Sequence, residues 1–112
     1  MPYDGCTNVK SEPFDFRRWR RHLEICADSL RSKGYDARFS FTDEGSKPST
    51  GVQAKNELIG GYFSNWITGE ADFEVMDLQT GKRVVNKVGL ILSDSTFEAT
   101  LNEFVESLTP PR

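Results

Sequence analysis

Apolar residues recur along this chain in two rhythms. Near the start, Phe16, Trp19, Leu23, Cys26, Ala27 and Leu30 return every three or four positions, the spacing of one helical stripe. The helix this predicts begins near Pro13, capped by Ser11 or Asp15, and stops near Lys33, with Gly34 placed for a left-handed cap. From Tyr35 the rhythm shortens to period two. Ala37, Phe39 and Phe41 alternate with Arg38 and Ser40, and Val52 and Ala54 alternate with Gln53, Lys55 and Glu57. Further strands run over Leu58–Ile67 and Ala71–Asp77, the second marked by Phe73 and Val75. A last strand places Val84, Val88, Leu90 and Leu92 inward between Arg83, Lys87 and Gly89, with Asn86 interrupting the series. Over Thr96–Leu108 the helical rhythm returns in Phe97, Leu101, Phe104, Val105 and Leu108. Ser95 and Glu98 form a capping box ahead of it, and Pro110 and Pro111 end it.

Residues 60–88 organise the rest. Thr68-Gly69-Glu70 and Leu78-Gln79-Thr80-Gly81 read as tight turns that join three antiparallel strands. Asp43–Gly51 reads as a loop by composition, and residues 1–12 as a polar arm. The pair Gly60-Gly61 inside a strand pattern suggests a bulge or a closely approached backbone. The predicted fold is α+β in a single domain over residues 1–112, in the order α-β-β-β-β-β-α. An antiparallel meander of about five strands carries the N-terminal and C-terminal helices on one face and leaves the other polar and wet.

Composition narrows the function. The 112 residues carry 14 Lys and Arg against 17 Asp and Glu, a net charge of −3, which argues against a dedicated nucleic-acid binder. No segment has signal-peptide character or approaches the ~20 apolar residues of a membrane span, so a cytoplasmic address is expected. Cys26 belongs to the helical stripe and Cys6 to the arm, too few cysteines for a disulfide framework. His22 is the one histidine; no C-x-x-C pair, nucleophile elbow or phosphate-cradling glycine loop accompanies it. These residues predict no catalytic set, metal or cofactor.

Two charged clusters remain. Arg17-Arg18-Trp19-Arg20-Arg21 lies on a helix with six basic and three acidic residues, but Trp19 belongs to the buried stripe and is not free to stack on bases. Its reading is a solvated face. Glu70, Asp72, Glu74 and Asp77 form an acidic strip in the central strand region, beside Tyr62 and Trp66 on the neighbouring strand. The strip is either a surface that steers and orients a partner or a charged sheet face that discourages aggregation. With its aromatic neighbours it suits a protein interface, where Tyr and Trp are enriched.

Gly60-Gly61, Trp66 and Gly69 in W-x-x-G, and Glu74-Val75, Asp77 and Thr80-Gly81 in E-V-x-D-x-x-T-G resemble the TriTu family of bacterial immunity proteins. The order of a leading helix, a strand meander and a closing helix is similar too. The resemblance implies a small cytoplasmic antitoxin that binds a cognate secreted toxin, an ADP-ribosyltransferase, and occludes its cleft. Tyr62, Trp66, Glu70, Asp72, Glu74 and Asp77 are then the toxin-binding candidates. Two other classes stay open: a non-enzymatic adaptor that recognises a basic protein segment through the same strip, and a small enzyme using Asp and Glu in a closed pocket.

Overall fold

Every element predicted from the apolar rhythm forms. The computed structural model describes residues 14–42 and 47–108. They comprise α1 (Phe16–Ser32), β1 (Asp36–Thr42), β2 (Ser49–Lys55), β3 (Ile59–Trp66), β4 (Glu70–Asp77), β5 (Arg83–Ile91) and α2 (Phe97–Leu108). The strands make one sheet in sequence order, with every neighbouring pair antiparallel. The fold is therefore α+β. The arm, Cys6 and the Pro13 end of the first helix lie outside the described residues.

Local chemistry sets the helix ends. Asp15 Oδ1 accepts the Arg18 N–H at 3.2 Å and caps α1. At the far end Gly34 takes φ +96°, so its N–H reaches the Arg31 carbonyl while the Tyr35 N–H reaches that of Leu30. Ser93 also takes part in the entrance to α2, two residues ahead of the expected Ser95, and the hydroxyls of the two lie 3.0 Å apart. Ser93 N–H donates to Thr96 Oγ1 at 2.9 Å, and the Thr96 and Phe97 N–H groups donate back to the Ser93 carbonyl. Buried Leu92, whose N–H donates to the Gly69 carbonyl, fixes the chain direction and delivers Ser93 to that position.

Strand β2 also starts earlier than expected, at Ser49 within the stretch read as loop. Its polar residue Thr50 is buried, and its hydroxyl donates to the Ser40 carbonyl across the β1–β2 pair, so burial leaves no donor unpaired.

Helix α1 packs on β1 and β2, and α2 on β3 and β4. Between the layers lie Trp19, Leu23 and Leu30, then Val52, Phe63, Phe73 and Val75, then Phe97 and Phe104. Phe63 and Phe73 stand opposite each other in the register with ring centroids 5.8 Å apart. Phe97 meets Phe63 edge-on, and Phe104 packs against both strand rings. Phe41 lies beyond this cover; it is 39% exposed, with the Arg20 guanidinium 4.1 Å above its ring.

Strand β5 corrects the predicted pattern. Its pairing with β4 slips twice, between Ala71 and Phe73 and between Val75 and Met76. Val84 and Val88 are consequently exposed, at 51% and 61%, while Val85 and Leu90 pack against the core. At the second slip Val84 is the extra residue between the Arg83 and Val85 pairings. At the first, Gly89 takes φ +70° and its N–H is bound by Asp72 Oδ1 at 2.8 Å. Asn86, which broke the sequence pattern, lands opposite Glu74 on the uncovered face.

One carboxylate oxygen joins the two helix entrances. Asp94 Oδ1 accepts Trp19 Nε1–H at 2.6 Å and the Asp15 N–H at 2.9 Å, while the Trp19 ring stacks on Phe97. The Asp15 bond, then the Trp19 bond, hold the Asp94 carboxyl below its ordinary value. The folded state thus takes up this proton less readily than the unfolded chain. The stabilisation is full above the ordinary aspartate pKa and fades as pH falls through the lowered folded value. Thermal melts of Asp94→Asn from neutral pH downward are expected to lose part of the acid limb seen in the unaltered chain; parallel limbs would show that Asp94 carries none of it.

The paired glycines do not form a bulge, because the register runs unbroken through both. They serve opposite faces. A Cβ on Gly61 would stand 2.6 Å from the Glu74 carbonyl oxygen and 3.2 Å from Phe104, so bare backbone here lets α2 approach. A Cβ on Gly60 would meet only the Lys55 and Leu78 side chains, at 3.3 and 3.4 Å. Gly61→Ala is expected to cost about 1–3 kcal/mol in denaturant unfolding, as overpacking does. Gly60→Ala should stay within about 0.5 kcal/mol, as at a surface position.

Candidate functional site

The sheet face turned away from the helices has no cover among the described residues, and the register lays its side chains out in rows. Arg38, Gln53, Tyr62, Glu74 and Asn86 form one row across all five strands. Asp36, Lys55, Gly60, Met76 and Arg83 form the next. Toward the other end stand Ser40, Gly51, Ser64 and Asp72, then Trp66 and Glu70, with Glu70 paired to exposed Ile91.

Five of the six residues singled out in the sequence share this face and are half-buried: Tyr62, Trp66, Glu70, Asp72 and Glu74. Asp77 does not join them. It stands opposite Ile59, in phase with Phe73 and Val75, and its Oδ1 accepts the N–H groups of Gln79 and Thr80 at 2.9 and 3.1 Å. Gly81 follows at φ +76° and donates to the Asp77 carbonyl. The spacing D-x-x-T-G is thus the chemistry of the β4–β5 turn. In the same way W-x-x-G closes the β3–β4 turn, where the Gly69 N–H reaches the Trp66 carbonyl at 2.8 Å.

The acidic strip is not a bare negative field. Glu70 pairs with Lys47, whose ammonium also lies 5.8 Å from the centre of the Trp66 ring; the Lys47 hydrogen bond is the main cause that lowers the Glu70 carboxyl. Glu74 pairs with Arg83 at 2.7 Å, and Asp72 is taken by the Gly89 amide. Each acid on the face therefore has a positive or N–H partner. Among the described residues these three acids are spread along the face, each with its own partner.

One hollow on this face lies around Gly60. A cavity of about 480 Å³ opens there between Arg38, Gln53, Lys55, Tyr62, Met76 and Leu78. It runs into a second hollow that shares Asp36, Lys55 and Leu78 and continues to Leu58 and Gly34. Among the described residues the Tyr62 hydroxyl, the Gln53 amide and the Lys55 ammonium make no hydrogen bond or ion pair. Sequence reasoning missed Arg38, Gln53, Lys55, Met76 and Leu78. Each is an unremarkable polar or apolar position on its own strand, and only the register between strands gathers them. The glycine pair was the one local signal.

The basic face of α1 stands apart. Arg17 and Arg21 are exposed, with no ion pair among the described residues, and Trp19 is only 2% exposed, so it offers no stacking platform. His22 packs against the Trp19 ring at 4.6 Å. Cys26 is half-buried, and burial raises its thiol above the usual value. Among the described residues no group of three or more His, Cys, Asp or Glu could hold a metal ion, and no helix is long and apolar enough to cross a membrane.

No curated protein matches the chain. The family described as Immunity protein TriTu matches residues 15–107, from the α1 cap to the last turn of α2, and so takes in every element of the fold. A match of that extent places this chain in the TriTu family of immunity proteins.

Proposed function

We propose that this protein neutralises a cognate toxin by binding it through the uncovered sheet face, and that the toxin is an ADP-ribosyltransferase whose active-site cleft the face occludes. Membership of an immunity protein family supports neutralisation. The sequence resemblance supports the class of toxin. The observation that carries the surface is a five-stranded face without helix cover, on which Tyr62 and Trp66 stand half-buried among charged neighbours.

The scale is adequate. Strands ~4.8 Å apart and residues ~3.4 Å apart give five strands of this length a plan area of roughly 500–600 Å². A standard interface takes ~800 Å² from each partner, so side-chain relief and the strand edges supply the remainder. A stiff sheet loses little conformational freedom on binding, which favours a tight one-to-one complex. The protein acts in the cytoplasm as a binding protein, not as a catalyst. The adaptor reading is weaker, because it needs an acidic strip free to hold basic segments, and here Glu70 and Glu74 already hold Lys47 and Arg83.

Co-purification with the toxin domain encoded by the neighbouring gene tests the reading, with growth rescue on co-expression as the cellular counterpart. The double variant Tyr62→Ala, Trp66→Ala is expected to weaken binding by at least ~10-fold, the scale of aromatic hot spots, at an unchanged melting temperature. Unaltered affinity in that variant would move the interface off the sheet, and the arginine face of α1 would be the next surface to alter.

A further inference from the structure

We propose that Trp66, Glu70 and Ile91 form a seat for one arginine side chain of the toxin, and that Lys47 of this chain occupies the seat until that arginine replaces it. The proposal rests on the toxin-binding reading above and deepens it.

The residue types specify the occupant. Glu70 on β4 stands opposite Ile91 on β5. On its other side Asn65 pairs with Ala71, so Trp66 comes next to Glu70. A carboxylate thus lies between two apolar side chains, and Ile91 is 71% exposed. A long cationic side chain has the matching form, an apolar stem with a charged head. A cation already takes this place. The Lys47 ammonium pairs with Glu70 and lies 5.8 Å from the centre of the Trp66 ring.

Lys47 satisfies the seat only in part. Its ammonium and the Thr68 hydroxyl, the latter at 3.3 Å, both donate to Glu70 Oε1, and Oε2 has no hydrogen bond among the described residues. The ring contact is near the outer limit of about 6 Å for a cation over an aromatic face. Lys47 and Glu70 keep 46% and 42% of their side chains exposed, so water weakens the pair. A guanidinium takes both oxygens of a carboxylate as a fork and stacks flat on an indole. Glu74 offers no such exchange, because its side chain is 18% exposed and Arg83 already holds it at 2.7 Å. The Ile67 N–H donates to the Pro48 carbonyl at 3.0 Å, which fixes the chain next to Lys47, so the exchange turns a side chain and leaves the strands in place. A loose basic segment gains little by evicting Lys47, since one ion pair is traded for another. An arginine positioned by the rest of a toxin surface gains the fork and the ring, which makes the seat selective.

The experiment titrates the full chain with a catalytically inactive form of the neighbouring toxin domain. Lys47→Ala vacates the seat and is expected to bind ~3-fold more tightly than the parent at low salt. Its affinity should also fall more steeply with salt, because no internal ion pair is given up on binding. Glu70→Gln should bind ~10-fold more weakly at an unchanged melting temperature. Parent-like or weaker binding by Lys47→Ala, or parent-like binding by Glu70→Gln, overturns the seat. If the Tyr62/Trp66 double variant loses binding all the same, the sheet-face reading stands without it. No binding by the unaltered chain ends both. N-acetyl-arginine amide at millimolar concentration checks the occupant. In the Lys47→Ala chain it should shift the indole N–H resonance of Trp66 and leave that of Trp19, which donates to Asp94, in place. No shift, or an equal shift from N-acetyl-glutamine amide, overturns the assignment to arginine. Should Lys47→Ala melt early, Lys47→Gln decides the matter by the same titrations.

Discussion

The structure depends on a continuous packing of aromatic rings between two helices and four strands. Trp19 stacks on Phe97, Phe97 meets Phe63 edge-on, Phe63 lies along Phe73, and Phe104 closes against both strand rings. Each ring removes a large apolar area from water and adds an oriented contact. Together they bind the first helix to the last and both to the centre of the sheet. Two helices of this length cover one face, and nearly all large buried side chains are spent there. The opposite face is left to polar and half-buried residues. The constraint that builds the core therefore also leaves one sheet face without helix cover among the described residues.

Much of this was written plainly in the sequence, and the failures have physical causes. Phe16 to Leu30 and Phe97 to Leu108 announced their helices because a single buried stripe repeats at helical spacing. Asp15 and Gly34 announced their ends because cap chemistry is local. Strand β5 was misread because alternation assumes an unbroken pleat. Two slips against β4 turned Val84 and Val88 outward and Val85 inward. Asn86, which looked like a defect, was the visible trace of that irregularity. Ser93 joins Ser95 at the helix entrance because the Leu92 N–H bond to the Gly69 carbonyl sets where the chain arrives, which no local pattern shows.

The surface was half legible. Period two put Tyr62, Trp66, Asp72 and Glu74 on a common side without help from the structure. It could not show that each acid already has a partner, since Lys47, Arg83 and the Gly89 amide come from other segments. Nor could it separate Asp77, which reads as one more acid on the strip and is instead the fastener of a turn. The family-like motifs gave away the hairpins, and the hollow they frame emerges only when β1 to β4 are set side by side. A surface assembled across strands is invisible to any reading that takes strands one at a time.

The Asp94 bonds have a temporal side. The oxygen that receives Trp19 and Asp15 lies 75 and 79 residues further along the chain. At ~5–20 residues per second of synthesis, α1 waits roughly 4–16 s for its anchor to be made, plus the time for that segment to clear the ribosomal exit. Until then its apolar stripe has no final place to lock, and the sheet beneath it lacks the second helix. The joint between the two helix entrances is thus among the last parts of the fold that synthesis permits to form.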